Sequence, residues 1–222
     1  MSRFYIADCH FFHRDLNTKM DCRGFESAEA MNEYMVAKWN AKVRDNDDVI
    51  ILGDFSYGSV EETDALLRRL KGNLFLIEGN HDKASVRNPR FGWVAPYKEM
   101  RDGGRRVILS HYPIMCYNKQ YIVSEAGKPH TYMLYGHVHD TFDQRLIEEF
   151  QRIARSCTRE ILGKEGRVAI PCNVINCFCK YSDYTPLTLD EWIENDRARQ
   201  LERELAGKNF LDRGTASDAI PD

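Results

Sequence analysis

Five short apolar runs recur along this chain, and each ends in residues able to bind a cation. Phe4-Tyr5-Ile6-Ala7 leads into Asp8-Cys9-His10, and Val49-Ile50-Ile51-Leu52 into Gly53-Asp54. Leu74-Phe75-Leu76-Ile77 is followed by Gly79-Asn80-His81-Asp82, and Val107-Ile108-Leu109 by Ser110-His111. Tyr132-Met133-Leu134-Tyr135 runs into Gly136-His137-Val138-His139. Runs this short and nearly uninterrupted, partly β-branched or aromatic, read as strands buried on both faces. In α/β sheets, ligands bind in the crevice beyond the carboxyl ends of the strands. If these five strands are neighbours, their ends meet at one point.

Helical patterns lie between the runs. From Ser27, apolar residues fall at Ala28, Met31, Met35, Trp39 and Val43, a spacing that lines one helix face. Ser59 with Glu62 forms a capping-box pattern ahead of Leu66, Leu67 and Leu70, with Gly72 as the stop. Thr141 with Gln144 predicts another capped helix, spanning 143–162, with Leu146, Phe150, Ile153, Cys157 and Ile161 on its packing face. Thr188 with Glu191 opens a fourth, whose charges at 190–204 read as a solvated outer face. Residues 167–175 are expected to form one further strand. The alternation predicts an α/β fold with sheets covered by helices. A length of 222 residues suits one domain, expected over 1–206, with a polar, non-periodic tail at 207–222.

Composition removes several function classes. With 43% hydrophobic and 29% charged residues, there is material for a core, which excludes a disordered chain. No uncharged apolar run reaches the ~18–20 residues needed to span a bilayer, and the N-terminus carries no signal-peptide pattern. The net charge of −3 lacks the basic footprint of a general nucleic-acid binder, so large nucleic acids are not expected as partners. Seven cysteines, scattered and odd in number, point to reduced thiols and a cytoplasmic location.

The residue types at the strand ends suit two divalent ions. Carboxylate, amide oxygen and imidazole together fit Mn, Fe, Zn or Ni. Asp8 with His10, and His137 with His139, are spaced i, i+2, which on an extended segment directs both side chains the same way. Asp54 is the candidate to bridge two ions through its two oxygens. Each motif alone is common in loops; their joint occurrence, each after a buried strand, gives the signal. Five of the seven histidines fall there.

This series, Asp8-x-His10, Gly53-Asp54, Gly79-Asn80-His81-Asp82, His111 and Gly136-His137-x-His139, resembles the calcineurin-like metallophosphoesterases. The wording around it, Asp8-Cys9-His10-Phe11-Phe12-His13, Arg23-Gly24-Phe25, Trp39-Asn40 and Leu52-Gly53-Asp54-Phe55, is similar to small bacterial and phage members. The resemblance implies a four-layer sandwich: two mixed β-sheets packed face to face and flanked by helices. One metal would take Asp8, His10, Asp54 and His139, and the other Asp54, Asn80, His111 and His137. His81 would face the substrate and Asp82 would orient it; Cys9, where the family often has Thr, should point away from the metals. Two ions ~3.5–4 Å apart would hold a bridging water and supply hydroxide to attack phosphorus in line with the leaving oxygen. His81 would give that oxygen a proton or stabilise charge. The implied function is hydrolysis of a phosphomonoester or phosphodiester of small size, a nucleotide included. The alternative is a non-catalytic interaction scaffold of the same fold, against which the complete motif set argues.

Other residues carry weaker expectations. His13 is a substrate contact, with Asn80 and His81, or an ordinary loop histidine. Arg14 reads as a solvated surface residue. The long 112–131 segment, with Tyr117, Asn118, Lys119 and Tyr121, either shapes specificity or is a surface excursion packed by its own aromatics. His130 reads as structural or exposed. Cys177 and Cys179 are expected to point the same way on a strand, as core or surface thiols. Arg145, Arg152, Arg155 and Arg159 read as a solvated helix face.

Overall fold

Alternation within each strand decides the layering. Phe4 and Ile6 face one way from the first strand and Tyr5 and Ala7 the other; Val49 and Ile51 separate from Ile50 and Leu52 in the same manner. The computed structural model describes residues 1–83, 86–123, 129–160 and 165–205. β1 (Arg3–Ile6), β2 (Asp48–Ile51), β3 (Asn73–Ile77) and β4 (Phe91–Ala95) form a sheet in that order, with every pairing parallel. β5 (Tyr97–Asp102), β6 (Arg105–Ser110), β7 (Thr131–Tyr135) and β10 (Val174–Asn176) form the second, in the order β10-β7-β6-β5, with β5 antiparallel and the rest parallel. A small hairpin sheet pairs β8 (Thr158–Glu160) with β9 (Arg167–Ala169).

The two main sheets bury a shared core. Tyr5, Ile50, Leu52 and Ile77 from the first meet Val107, Leu109, Tyr132, Leu134 and Ile175 from the second. The outer face of the first sheet packs Phe4, Val49, Ile51, Leu74 and Leu76 against α1 (Ala28–Lys42) and α2 (Val60–Arg69). The outer face of the second packs Ile108, Met133, Tyr135 and Val174 against Ile147 of α3 (Phe142–Ser156). The result is the expected helix–sheet–sheet–helix sandwich. α4 (Leu189–Leu205) inserts Leu189 and Trp192 into the intersheet core, where the Trp192 indole donates to the Tyr5 carbonyl at 2.8 Å. Among the described residues no helix is long and apolar enough to cross a membrane.

The caps of α1, α2 and α4 form as their sequences predict. Ser27 accepts from Ala30, Ser59 and Glu62 complete a reciprocal box, and Thr188 exchanges bonds with Glu191. α3 departs from expectation. Thr141 makes no cap bond and gives its hydroxyl to the Val138 carbonyl instead. The helix ends at Ser156; of the expected packing face Phe150 does pack, partly buried, against the core, but the fully buried side chains are Gln144, Ile147 and Gln151, while Leu146, Ile153 and Cys157 are exposed. The sheet beneath offers polar partners: Gln144 accepts from the Tyr135 hydroxyl at 2.7 Å and from Asn176 at 2.9 Å, and Gln151 donates to the Val174 carbonyl. Apolar residues there would leave those groups unpaired, at about 1–3 kcal/mol each. The strand expected over 167–175 is two, β9 and β10, in different sheets. Residues 161–164, including Ile161, and the proposed tail at 207–222 lie outside the described residues.

Two further readings change. Cys177 and Cys179 follow the end of β10 and do not share a face: Cys177 enters the intersheet core and Cys179 the core under α1 and α2, both as free, buried thiols. The charged α4 is not solvated all round, because Asp196 lies on its buried face. Burial raises the Asp196 carboxyl from its ordinary 3.8 to about 6, despite nearby Arg199 and Arg155. The folded chain therefore binds this proton more tightly than the unfolded chain. That contribution to stability is complete below about pH 4 and is lost as the pH rises through 6, about 3 kcal/mol in full. Urea unfolding at pH 4 and pH 7.5 should show the native chain losing about that much relative to Asp196→Asn; parallel pH profiles would refute it.

Candidate metal centre

Tight turns, not extended backbone, aim the metal-type side chains. Asp8, His10, His137 and His139 all have positive φ, between 47° and 72°, as does Asp54 at 52°. The premise that the i, i+2 pairs lie on extended segments is therefore corrected. Left-handed backbone at such residues costs of order 1–3 kcal/mol each and persists only where the surroundings enforce it. Here the first two loops lace together: Asp8 N donates to the Gly53 carbonyl and His10 N to the Asp54 carbonyl, at 3.1 and 2.9 Å. Close approach also demands glycine. A Cβ on Gly53, at φ +91°, would fall 2.3 Å from His111 Nδ1, and one on Gly79 would fall 2.4 Å from the Asp54 nitrogen.

The seven expected ligands gather into two overlapping groups, with Asp8 and Asp54 each near histidines of both. In the first, His10 Nε2 lies 3.2 Å from His139 Nε2 and 3.5 Å from Asp54 Oδ2, and His139 Nε2 lies 3.8 Å from Asp8 Oδ1. In the second, His111 Nε2 lies 3.4 Å from Asp54 Oδ2 and 3.0 Å from Asn80 Oδ1, which is itself 3.1 Å from His137 Nδ1. Asp8, His10, Asp54, His111 and His139 are buried.

Second partners fix which ring nitrogens face inward. His111 Nδ1 donates to the Leu52 carbonyl at 2.9 Å and His139 Nδ1 to Asp21 at 2.6 Å. In the neutral rings each Nε2 then carries a lone pair, directed at other acceptors. Crowded lone pairs and carboxylate oxygens repel unless a proton or cation lies among them. Burial works against a charge on His111, yet its bond to Asp54 and the charges of Asp8 and Asp54 raise its pKa to about 9. His139 is likewise raised, against burial, by Asp8 and Asp21. Burial and the facing His139 push His10 well below its ordinary value. Surroundings that hold a proton this firmly suit a divalent cation, and the N/O donor set fits one.

Asp82 does something other than orient the His81 ring. Its buried carboxylate accepts the backbone amides of Asp54, Phe55 and Gly79, each at 2.8 Å. It is a positioning residue that clamps the Asp54 turn to the Gly79 turn. His81 N in turn donates to Asp54 Oδ1 at 2.9 Å, leaving its exposed ring at the mouth, 5.5 Å from His10 and 5.7 Å from Tyr57. His13 is half-buried, 4.3 Å from the Tyr57 ring and 5.7 Å from His10. Cys9 is buried in the core, away from the ligands. Tyr117 turns into the core under α3, its hydroxyl accepting from Asn173 N, so it does not line the centre; Tyr112 does, 4.5 Å from His137. Within the 112–131 segment, residues 124–128 lie outside the described residues. Arg145, Arg152, Arg155 and Arg159 are exposed, as expected of a solvated face; Arg155 also bonds the Cys172 carbonyl, and Arg159 covers Tyr121. Arg14 is exposed as expected, and His130 is half-buried with its backbone bonded on both sides.

Sequence reasoning missed Asp21. This carboxylate joins the His139 ring to Arg23, whose side chain is fully buried 2.8 Å away. Arg23 also donates to the Asp8 and Cys9 carbonyls, at 2.9 and 2.7 Å. Asp21 is kept below the usual carboxylate range by His139 and Arg23, which overcome its burial. The only sequence signal was its position two residues before Arg23.

An α/β sandwich with clustered Asp, His and Asn at the carboxyl ends of both sheets defines a metallophosphoesterase-type protein. A family model for calcineurin-like phosphoesterases matches residues 2–201, and the chain belongs to that family. The uncharacterized protein MJ1445 of Methanocaldococcus jannaschii is 31% identical over 138 residues, 61% of this chain and 68% of that protein. The crystal structure of AQ665, a protein of unknown function from Aquifex aeolicus, shares the fold with a TM-score of 0.57 at 19% identity, over 91% of this chain and 98% of that one.

Removing a carboxylate that orients a ligating histidine typically weakens metal binding ~10–100-fold. Asp21→Asn should do so in chelator-competition titrations of Mn²⁺, with far-UV circular dichroism reporting separately that the fold survives. Native affinity in a folded variant would show that Asp21 does not act through His139.

Proposed function

We propose that this chain is a dinuclear metal-dependent phosphoesterase acting on a small phosphomonoester or phosphodiester. The observation that carries the reading is Asp54: one oxygen, Oδ2, stands 3.5 Å from His10 Nε2 and 3.4 Å from His111 Nε2. A single carboxylate so placed suits two neighbouring cations. Asp8, His10 and His139 would complete one set and Asn80, His111 and His137 the other. Two divalent ions bound there would supply Lewis acidity and a lowered pKa for water.

The chain's own residues divide the remaining work. Arg23 and Asp82 hold the ligand-bearing turns, and Asp21 holds the His139 ring. His81, tethered through its backbone to Asp54, keeps a free ring edge at the mouth, where it can give a proton to the leaving oxygen. General acid help of this kind is worth ~10²–10⁴ in rate. The site's openness on the His81 and His137 side suits a substrate that enters phosphate first.

The purified protein, loaded with Mn²⁺, Ni²⁺, Zn²⁺ or Fe²⁺, should hydrolyse p-nitrophenyl phosphate or its bis-ester. His81→Ala should keep its metal, by elemental analysis, and lose about 10²-fold or more of turnover. Asp54→Ala should lose metal and turnover together. Metal bound with neither ester cleaved would favour the scaffold reading; parallel losses in both variants would dismiss the separate roles.

A further inference from the structure

Beside the candidate metal centre stands an aromatic ring that springs from anchored backbone and is not covered. Tyr57 is 57% exposed, although Phe55 and Ser56 before it are buried. Its backbone is anchored. Tyr57 N donates to the Phe11 carbonyl at 2.9 Å, and the buried Ser56 hydroxyl is bonded to Thr63 at 2.7 Å and accepts from Gly58 N at 3.2 Å. The Phe12 ring lies so close that a Cβ on Gly58 would fall 2.7 Å from it. The Tyr57 ring is set edge-on to His13 and tilted against His81. Exposure here is therefore not looseness. A large aromatic ring left in water on anchored backbone, flanked by two imidazoles, suits stacking by a planar ligand.

The ring forms one wall of a cleft lined by Ser56, Tyr57, Gly58, Asn80, His81 and Lys83, with a cavity volume of about 250 Å³. Two of these, Asn80 and His81, belong to the metal centre. Lys83 is exposed and is the one lysine or arginine among them. The cleft is slightly smaller than the ~300–1,000 Å³ of pockets for drug-sized ligands, a size for one ring system and its attachment. A second exposed ring, Tyr112, stands edge-on to His111 and His137 and borders the centre from their side.

We infer that the Tyr57–Lys83 cleft is the leaving-group subsite and that the departing group is a nucleotide. Its base stacks on Tyr57 and its phosphate meets Lys83. The inference rests on the proposed hydrolase reading, in which the reacting phosphorus sits at the Asp54 centre and His81 faces the leaving oxygen. A group leaving past His81 enters the cleft that His81 lines. The balance is that of simple hydrolysis: water adds a P–O bond, the bond from phosphorus to the nucleotide oxygen breaks, and that oxygen takes a proton from His81. A planar base alone would need only the tyrosine; a lysine beside it selects a base carrying an anion.

The departing product is then itself a ligand, so calorimetry on the Mn²⁺-loaded protein tests the subsite without turnover. AMP should bind about tenfold or more tighter than ribose 5-phosphate, which lacks the base, and tighter than adenosine, which lacks the anion. Tyr57→Ala should abolish the advantage over ribose 5-phosphate and Tyr57→Phe should keep it. Lys83→Ala should abolish the advantage over adenosine. Equal affinities for AMP and ribose 5-phosphate, or an advantage that survives Tyr57→Ala, overturn the assignment. Hydrolysis of p-nitrophenyl phosphate combined with that result would sink the subsite alone. Base-dependent, Tyr57-dependent binding in a protein that cleaves no ester would sustain the subsite and sink the hydrolase reading.

Discussion

The organisation of this protein turns on one carboxylate oxygen held between two imidazoles. Asp54 Oδ2 faces His10 from one loop and His111 from the other sheet, and its second oxygen accepts the His81 amide. Such crowding of buried acceptors is costly in isolation, since a buried charge needs close partners. The fold tolerates it because the five loops are tied, independently of those side chains, into two groups, three loops of the first sheet and two of the second. Asp82 fastens the Asp54 and Gly79 turns through three backbone amides, and the Gly53 and Asp54 carbonyls accept from Asp8 and His10. Gly136 N donates to the His111 carbonyl, joining the last two loops across neighbouring strands. The clustered Asp, His and Asn are thus placed largely by backbone bonds.

A second layer fixes ring orientation. The Leu52 carbonyl and Asp21 each take an Nδ1 proton, from His111 and His139, so that both rings present Nε2 inward. Asp21 reaches further, because Arg23 links it to the carbonyls of Asp8 and Cys9 and lies beneath the rings of Phe178 and Tyr184. The first loop and the last are therefore joined through one buried ion pair. Deleting either partner would strand the other charge in a low-dielectric interior, which is why the pair governs geometry more than net stability.

Legibility in the sequence followed burial on both faces. β1, β2, β3, β6 and β7 announced themselves as apolar runs because sheet or helix covers each side. β4 and β5 did not: Phe91-Gly92-Trp93 and Tyr97-Lys98-Glu99 belong to half-exposed outer strands, whose mixed composition resembles loop. The α3 face was misread for a related reason. Periodicity finds apolar residues, but the surface under α3 offers a tyrosine hydroxyl, an asparagine amide and a backbone carbonyl, so glutamines won the inner positions over Leu146 and Ile153. The Asp, Asn and His of the strand ends were legible because chemistry of that density has few other uses. Asp21 was not, because it sits in irregular chain with no strand before it and acts through a partner 118 residues away.

The same contrast separates the centre of the cluster from its rim. Strand ends from both sheets place the metal-type residues, and that placement follows from layering alone. Tyr57, Lys83 and Tyr112 lie one to three residues beyond Asp54, Asp82 and His111, where the backbone is still held by the turns but the side chains have left the core. Positions of that kind can vary without disturbing Asp54 or its neighbours, since none of their side chains carries a ligand-bearing turn. The rim can therefore change while the centre stays fixed, and a shared fold does not by itself decide what the rim receives.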